Sequence, residues 1–249
     1  MSVKGRLYAI GAGPGHVEWL TLHADRILKQ VEVIAVPQGQ GRKGRAEQII
    51  ASYITPAKVL LQLHFPMITS TELLTKAWDE AALQVASFLT QGQDVAFVTE
   101  GDPSLFSTFY YLLQALRVMI PDVALEIIPG ISSIFGASAI LATPLVMGAE
   151  SLAVVPASSN LAAVAQALQH FDTVVILKIA RVFEQVLAML DQKGLVERTV
   201  YVENVGYSHA RVVMDVHQLD PHTVPYMSLF IVRSGRQDAR ESTRESVGL

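Results

Sequence analysis

The chain predicts two α/β domains, the first built on a mainly parallel sheet and the second on a mixed one. Three observations carry that expectation. Through the first half, strand-length apolar runs alternate with segments of helical periodicity, the rhythm of a parallel sheet with crossover helices. The second half closes instead on successive strand-length runs, Val200 to Glu203, Ala210 to Asp215 and Tyr226 to Val232, with hairpin-like spacing. Residues 95–109 then read as strand, corner and helix: the stretch starts at Val95 as an apolar, β-branched run of strand length, Gly101 stops it, and Pro103 pushes Asp102 away from helical angles. Such strand ends are where open α/β sheets bind ligands.

A chain of 249 residues with 51% hydrophobic content suits two domains with substantial cores, and its net charge of −4 gives no global pull toward nucleic acid. Cysteine is absent, which removes disulfides, thiolate metal sites and a catalytic thiol, and suits a reducing cytosol. Ile127 to Ala149 is uncharged and as long as a membrane span, but Pro129-Gly130, Ser132-Ser133 and Thr143-Pro144 interrupt it. Glycines 11 to 15 break any N-terminal apolar leader. A soluble, cytoplasmic protein is expected, with neither membrane nor nucleic acid as partner.

In chain order, Leu7 to Ile10 is a short strand running into Gly11-Ala12-Gly13-Pro14-Gly15. A helix should follow, with Leu20, Ala24, Ile27, Leu28 and Val31 on its apolar face. The turn fits neither common phosphate cradle. A dinucleotide fingerprint requires glycine where His16 stands, and a P-loop requires Gly-Lys where the chain has His16-Val17. What remains is a backbone able to approach a ligand closely, with Pro14 removing one N–H.

Val31 to Pro37 is the second strand, an almost continuous apolar run of the kind covered parallel sheets use. It opens into Gln38 to Arg45, a surface loop with cations Arg42, Lys43 and Arg45 that could meet an anionic ligand. Ala46 to Tyr53 is helical, Val59 to Leu63 an edge strand, and Thr71 to Thr90 a long amphipathic helix. Asp102 or Ser104 can cap the helix carrying Leu105, Phe109, Leu112, Leu113 and Leu116. The change of rhythm places the domain boundary near residue 121, giving domains 1–121 and 122–234 and a polar tail 235–249. Val123 to Ile128 would start the second unit, followed by a helix from Ile134 to Leu141, a strand from Ser151 to Val155, a helix from Asn160 to Gln169, a strand from Thr173 to Ile179, and a helix from Arg181 to Lys193 capped by Gly194.

Three stretches together resemble one family, the tetrapyrrole (corrin/porphyrin) methyltransferases, along roughly residues 5 to 233. They are Gly11 to Gly15 followed by Leu20-Thr21; Glu100-Gly101-Asp102-Pro103; and Ile128 to Ser133 leading to Thr143-Pro144-Leu145. Phe65-Pro66-Met67, Ser107-Thr108-Phe109 and Val155-Pro156-Ala157 are most similar to the branch that methylates C20 of precorrin-2 or its cobalt-loaded counterpart. The resemblance implies a homodimer of two-domain subunits, with S-adenosylmethionine in an interdomain cleft and a tetrapyrrole beside it. Its implied cofactor contacts are Pro14, Gly101, Asp102, Leu105, Ser132 and Ser133, with Leu177, Lys178, Val205 and Gly206 from the second domain. Gly13, Gly15, Ser107 and Thr108, with the cations Arg42, Lys43 and Arg45, are expected to face the carboxylate-rich ring. The chain departs from the family pattern at His16, Phe106 and Lys178, where relatives usually carry Asp, Tyr and Met.

Residue chemistry agrees with methyl transfer. A sulfonium donor brings its own activation, so the protein has to orient two reactants and exclude water, with no metal and no covalent nucleophile. The sequence holds no HExxH pattern and no Gly-x-Ser-x-Gly elbow. It assigns no catalytic residue. Two alternatives stay open: a methyltransferase of the same fold acting on another ring carbon or another substrate, and a non-catalytic binder of small molecules on this scaffold.

Overall fold

Five parallel strands make the first sheet: β1 (Arg6–Gly11), β2 (Val33–Gln38), β3 (Val59–His64), β4 (Val95–Thr99) and β5 (Ala124–Ile128), in the order β3-β2-β4-β1-β5. The computed structural model describes residues 4–39, 43–66, 68 and 70–234. Arg42, Met67 and the tail 235–249 lie outside the described residues.

The strands are apolar on both faces because both are covered. Alternate residues Leu7, Ala9, Val33, Ala35, Val95 and Phe97 meet α3 (Thr71–Leu89) and α4 (Phe109–Met119). Their neighbours Ile10, Ile34, Val36, Ala96 and Val98 meet α1 (Leu22–Gln30) and α2 (Arg45–Ile49). Fully buried Phe97 anchors the first of these cores, edge-on to Phe65 at 6.4 Å and tilted against Phe109 at 5.7 Å. Truncating such a ring to alanine costs about 3–5 kcal/mol. β3 is the edge strand its weak alternation predicts.

Two helix starts differ from expectation for local reasons. The residues after the glycine-rich turn form a single 3₁₀ turn at Val17–Trp19, and α1 begins only at Leu22. There Thr21 Oγ1 accepts the Ala24 N–H at 3.1 Å, so the hydroxyl fixes the start and leaves Leu20 before the helix. α4 begins at Phe109 rather than beside Pro103, because the Asp102 carboxylate turns the chain locally by accepting the Ser104 N–H at 2.8 Å. The expected cap therefore serves the corner instead of the helix.

The chain divides into two units, Met1–Ser133 and Ile134–Leu249. The expected boundary near 121 is thus moved by a dozen residues. β5, expected to open the second unit, pairs in parallel with β1 and completes the first sheet.

The second sheet is mixed, in the order β6-β7-β10-β8-β9, from β6 (Leu152–Pro156), β7 (Thr173–Leu177), β8 (Thr199–Glu203), β9 (Arg211–Val213) and β10 (Ser228–Arg233). Only β6 and β7 pair in parallel. α5 (Ser133–Ile140) opens the unit, and α6 (Leu161–His170) and α7 (Phe183–Gln192) bury Val164, Leu168, Phe183, Val186 and Leu190 against Tyr201 and Phe230. Asn160 caps α6 through the Ala163 N–H at 3.0 Å, and Gly194 at φ +64° follows α7 as the expected C-terminal glycine. The uncharged stretch 127–149 resolves into the end of β5, the short α5 and turns; among the described residues no helix is long and apolar enough to cross a membrane.

Candidate functional site

β1 and β4 lie side by side, yet the helices that follow them cover opposite faces of the first sheet. Chains diverging this way open a crevice at the carboxyl ends, where α/β sheets bind ligands. The glycine-rich turn ends β1 and the Gly-Asp-Pro corner ends β4, so both stand at that divergence.

There they are joined. Gly13 and Gly101 form an antiparallel bridge, with Gly101 N–H donating to Gly13 O at 2.8 Å and Gly13 N–H to Gly101 O at 3.2 Å. The third motif closes on the same spot. Gly130 N–H donates to Asp102 Oδ2 at 2.9 Å, and Gly130 lies so near Gly11 and Gly101 that a Cβ on it would be 2.2 Å from Gly101 O. Three stretches distant in sequence thus meet backbone to backbone, which requires residues without side chains.

The glycines divide into two kinds. Gly11, Gly13 and Gly130 face their own protein: a Cβ on Gly13 would meet Trp19 at 3.3 Å, and one on Gly11 would meet Gly130 N at 2.5 Å. Gly101, at φ +71°, faces open space, with nothing within 4 Å of a Cβ built on it. Its bare backbone is the surface a ligand can approach.

Two carboxyls flank Gly101. Asp102 is fixed by the N–H groups of Gly130 and Ser104 and by the Ser104 hydroxyl. Burial acts to raise its pKa, but these hydrogen bonds outweigh it and hold the carboxyl below the ordinary range. Glu100 is the opposite case. Period-two alternation from Ala96 and Val98 carries it to the face covered by α2, whose first residue is Arg45. Burial there pushes its pKa up to about 7, and the Arg45 charge offsets only part of that. Sequence reasoning gave Glu100 no role. Its signal was an acid one residue past a wholly buried strand, on the helix-covered parity.

The other expected residues of this unit take varied places. Pro14 is buried in the loop and Gly15 half-buried beside it. Leu105 is half-buried, its N–H closing a turn on Asp102 O at 3.2 Å, and the exposed Phe106 holds φ +53°. Ser107 Oγ donates to Thr99 Oγ1 at 3.2 Å and accepts the Phe109 N–H at 3.1 Å, so its hydroxyl braces the corner. Thr108 precedes α4 without a capping bond from its side chain. Ser132 is buried and Ser133 opens α5. Lys43 is largely exposed and reaches buried Glu47 at 3.8 Å.

In the second unit, β7 and β8 both run antiparallel to β10, so their carboxyl ends share one edge. This brings Leu177-Lys178 and Val205-Gly206 to the same edge. Lys178 has φ +56°, Asn204 φ +51° and Gly206 φ +83°. Left-handed non-glycine residues cost about 1–3 kcal/mol each and concentrate at binding sites. Asn204 N–H is held by Met227 O at 2.9 Å, and Val205 is buried.

Comparison with known proteins follows the same residues. The family described as tetrapyrrole (corrin/porphyrin) methylases matches residues 6–220. A cobalt-precorrin-2 C(20)-methyltransferase from Salmonella typhimurium is 32% identical over 232 residues, 92% of this chain and 97% of the relative. A precorrin-2 C(20)-methyltransferase from a Sinorhizobium species is 30% identical over 236 residues, 92% of this chain and 95% of the relative. The fold is shared with uroporphyrin-III C-methyl transferase from Thermus thermophilus, solved with S-adenyl homocysteine, at TM-score 0.66 and 21% identity over 94% of this chain and all of that one. With the family pattern running through both sheets, the chain belongs to the tetrapyrrole (corrin/porphyrin) methylases.

Proposed function

We propose that this protein transfers a methyl group from S-adenosylmethionine to C20 of precorrin-2 or its cobalt-loaded counterpart, on the route to cobalamin. The observation that carries the reading is its similarity along nearly the whole chain to C(20)-methyltransferases, with the three matching motifs joined at one strand edge. The residues fit the donor: Gly101 offers bare backbone toward open space, and the ionised Asp102 beside it complements a cationic ligand. The donor supplies an electrophilic methyl group. The residues proposed to hold it are Pro14, Gly101, Asp102, Leu105, Ser132, Ser133, Leu177, Lys178, Val205 and Gly206.

The chain's own contribution is position. A corner fixed by the Gly13–Gly101 bridge and the Asp102–Gly130 hydrogen bond holds its contacts without reordering, which lowers the entropy of reaching an in-line arrangement. Lys43 and Arg45 favour a ring carrying carboxylates. A homodimer is part of the proposal, supported by exposed apolar side chains on α3 and α4 such as Leu73, Tyr110, Tyr111 and Val118; sedimentation of the purified protein checks it.

Incubation with labelled donor and either metal-free or cobalt-loaded ring, with the product located by NMR, tests the function. Methyl at C20 is the expected result, and methyl at another carbon would favour the alternative ring position. S-adenosylhomocysteine at a hundredfold excess over its Kd should add about 2.7 kcal/mol of stability. A melting curve unmoved by saturating product would remove the cofactor assignment.

A further inference from the structure

We infer that Glu100 is a catalytic residue: the carboxylate that accepts the proton leaving C20 of the ring. The inference rests on the C20 reading above, and its geometry comes from how the strand edge distributes its polar groups. Asp102 is committed to Gly130 and Ser104, and Thr99 and Ser107 are bonded to one another. Glu47 on α2 is taken by Lys43 and by Gln62, whose Nε2 donates at 2.8 Å. Glu100 stands among these at the β1/β4 divergence, next to the one glycine of the corner that faces open space. Among the described residues no hydrogen bond ties its carboxyl. The charge that acts on it is Arg45, at the start of α2; Asp102, two residues along, is the next acid on its own segment.

The reaction needs such a group. Methylation at C20 gives that carbon a new C–C bond, made with a π-electron pair of the ring, while its C–H bond remains and the ring gains one positive charge. Breaking the C–H bond returns its electron pair to the ring and neutralises that charge. The proton passes to a Glu100 carboxylate oxygen, and the neutral acid then releases it to water. A carboxyl that titrates near neutrality accepts and releases a proton with comparable ease, the condition for efficient general-base catalysis.

Four measurements on the full chain test this. With metal-free precorrin-2 in D₂O and no methyl donor, a deuteron from the Glu100 acid adds to C20 with the same π-electron pair, and the carboxylate then removes the protium. The parent protein should thus exchange deuterium into C20, while Glu100→Gln should lose this exchange at least about a hundredfold. Methyl transfer should fall by a similar factor, with affinity for S-adenosylhomocysteine unchanged as proof of an intact corner. Arg45→Gln should move the acidic limb of the pH–rate profile upward, because losing the cation favours the protonated carboxyl, and Glu100→Asp should restore part of the exchange. Glu100→Gln that exchanges deuterium and turns over as the parent does overturns the inference alone. No C20-methylated product from the parent overturns the function reading and this one with it.

Discussion

The two sides of the β4 end solve opposite problems with the same kind of residue. Toward α3 and α4, Thr99, Ser107 and the Phe109 N–H satisfy one another. Toward α1 and α2, burial lifts Glu100 to a pKa near 7 beneath Arg45. The glycines show the same division, since Gly11 and Gly130 are closed by backbone while Gly101 is open. The difference teaches that one motif holds two kinds of position: closed ones lock the corner, and open ones remain available to the proposed ligand.

That contrast is sharpest at Gly130. A Cβ at 2.2 Å from Gly101 O and 2.7 Å from Gly11 C has only backbone to displace, so Gly130→Ala should break the corner. The expected loss is about 3 kcal/mol or more, at the upper end of overpacking effects, read from the denaturant midpoint. A loss below about 1 kcal/mol would mean that the three motifs are not locked together as described.

Glu100→Gln should act in the other direction and depend on pH. A carboxyl with a folded pKa of about 7, above the ordinary 4.5, binds its proton more tightly in the folded state, so parent stability falls as pH rises through that window. Glutamine removes the ionisation. The variant should therefore gain on the order of 3 kcal/mol over the parent above pH 7, at about 1.36 kcal/mol per unit, and nothing below about pH 4.5. Equal melting differences at pH 5 and pH 8 would show that Glu100 is not buried as charged.

Gly101→Ala separates ligand approach from packing. Its Cβ meets no protein atom, so only the left-handed φ is penalised, by about 1–2 kcal/mol. Affinity for S-adenosylhomocysteine should drop well beyond that stability change, as calorimetry would read. Unchanged affinity would return the corner to an ordinary βα turn. Smallest is Asp102→Asn, which loses charge-assisted acceptors at a partly exposed site and should cost about 1 kcal/mol at pH 7. Because the folded pKa is depressed, this difference is present above the ordinary carboxylate range and disappears as pH falls below it.

Local pattern made most of the elements legible. Val95 to Val98 is apolar at every position because both faces are covered, and the observed strand starts at Val95 and ends at Thr99, two residues before the glycine that stops the run. Gly194 and Asn160 stand where helix-end chemistry requires them. The motifs that carried the family resemblance were readable as well, since close backbone approach leaves glycine as the residue of choice.

What the sequence by itself determined was the inventory of strands, helices and glycine corners, because period, capping and turn chemistry act within a few residues. Pairing was decided only by the tertiary structure. β5 joined the first sheet because β1 had a free edge to give it, which no local pattern near residue 121 records. Gly13 found Gly101, and Gly130 found Asp102, through strands brought side by side by their cores. The pKa of Glu100 belongs to the same class, since desolvation is a property of what the fold places around a carboxyl and not of the carboxyl.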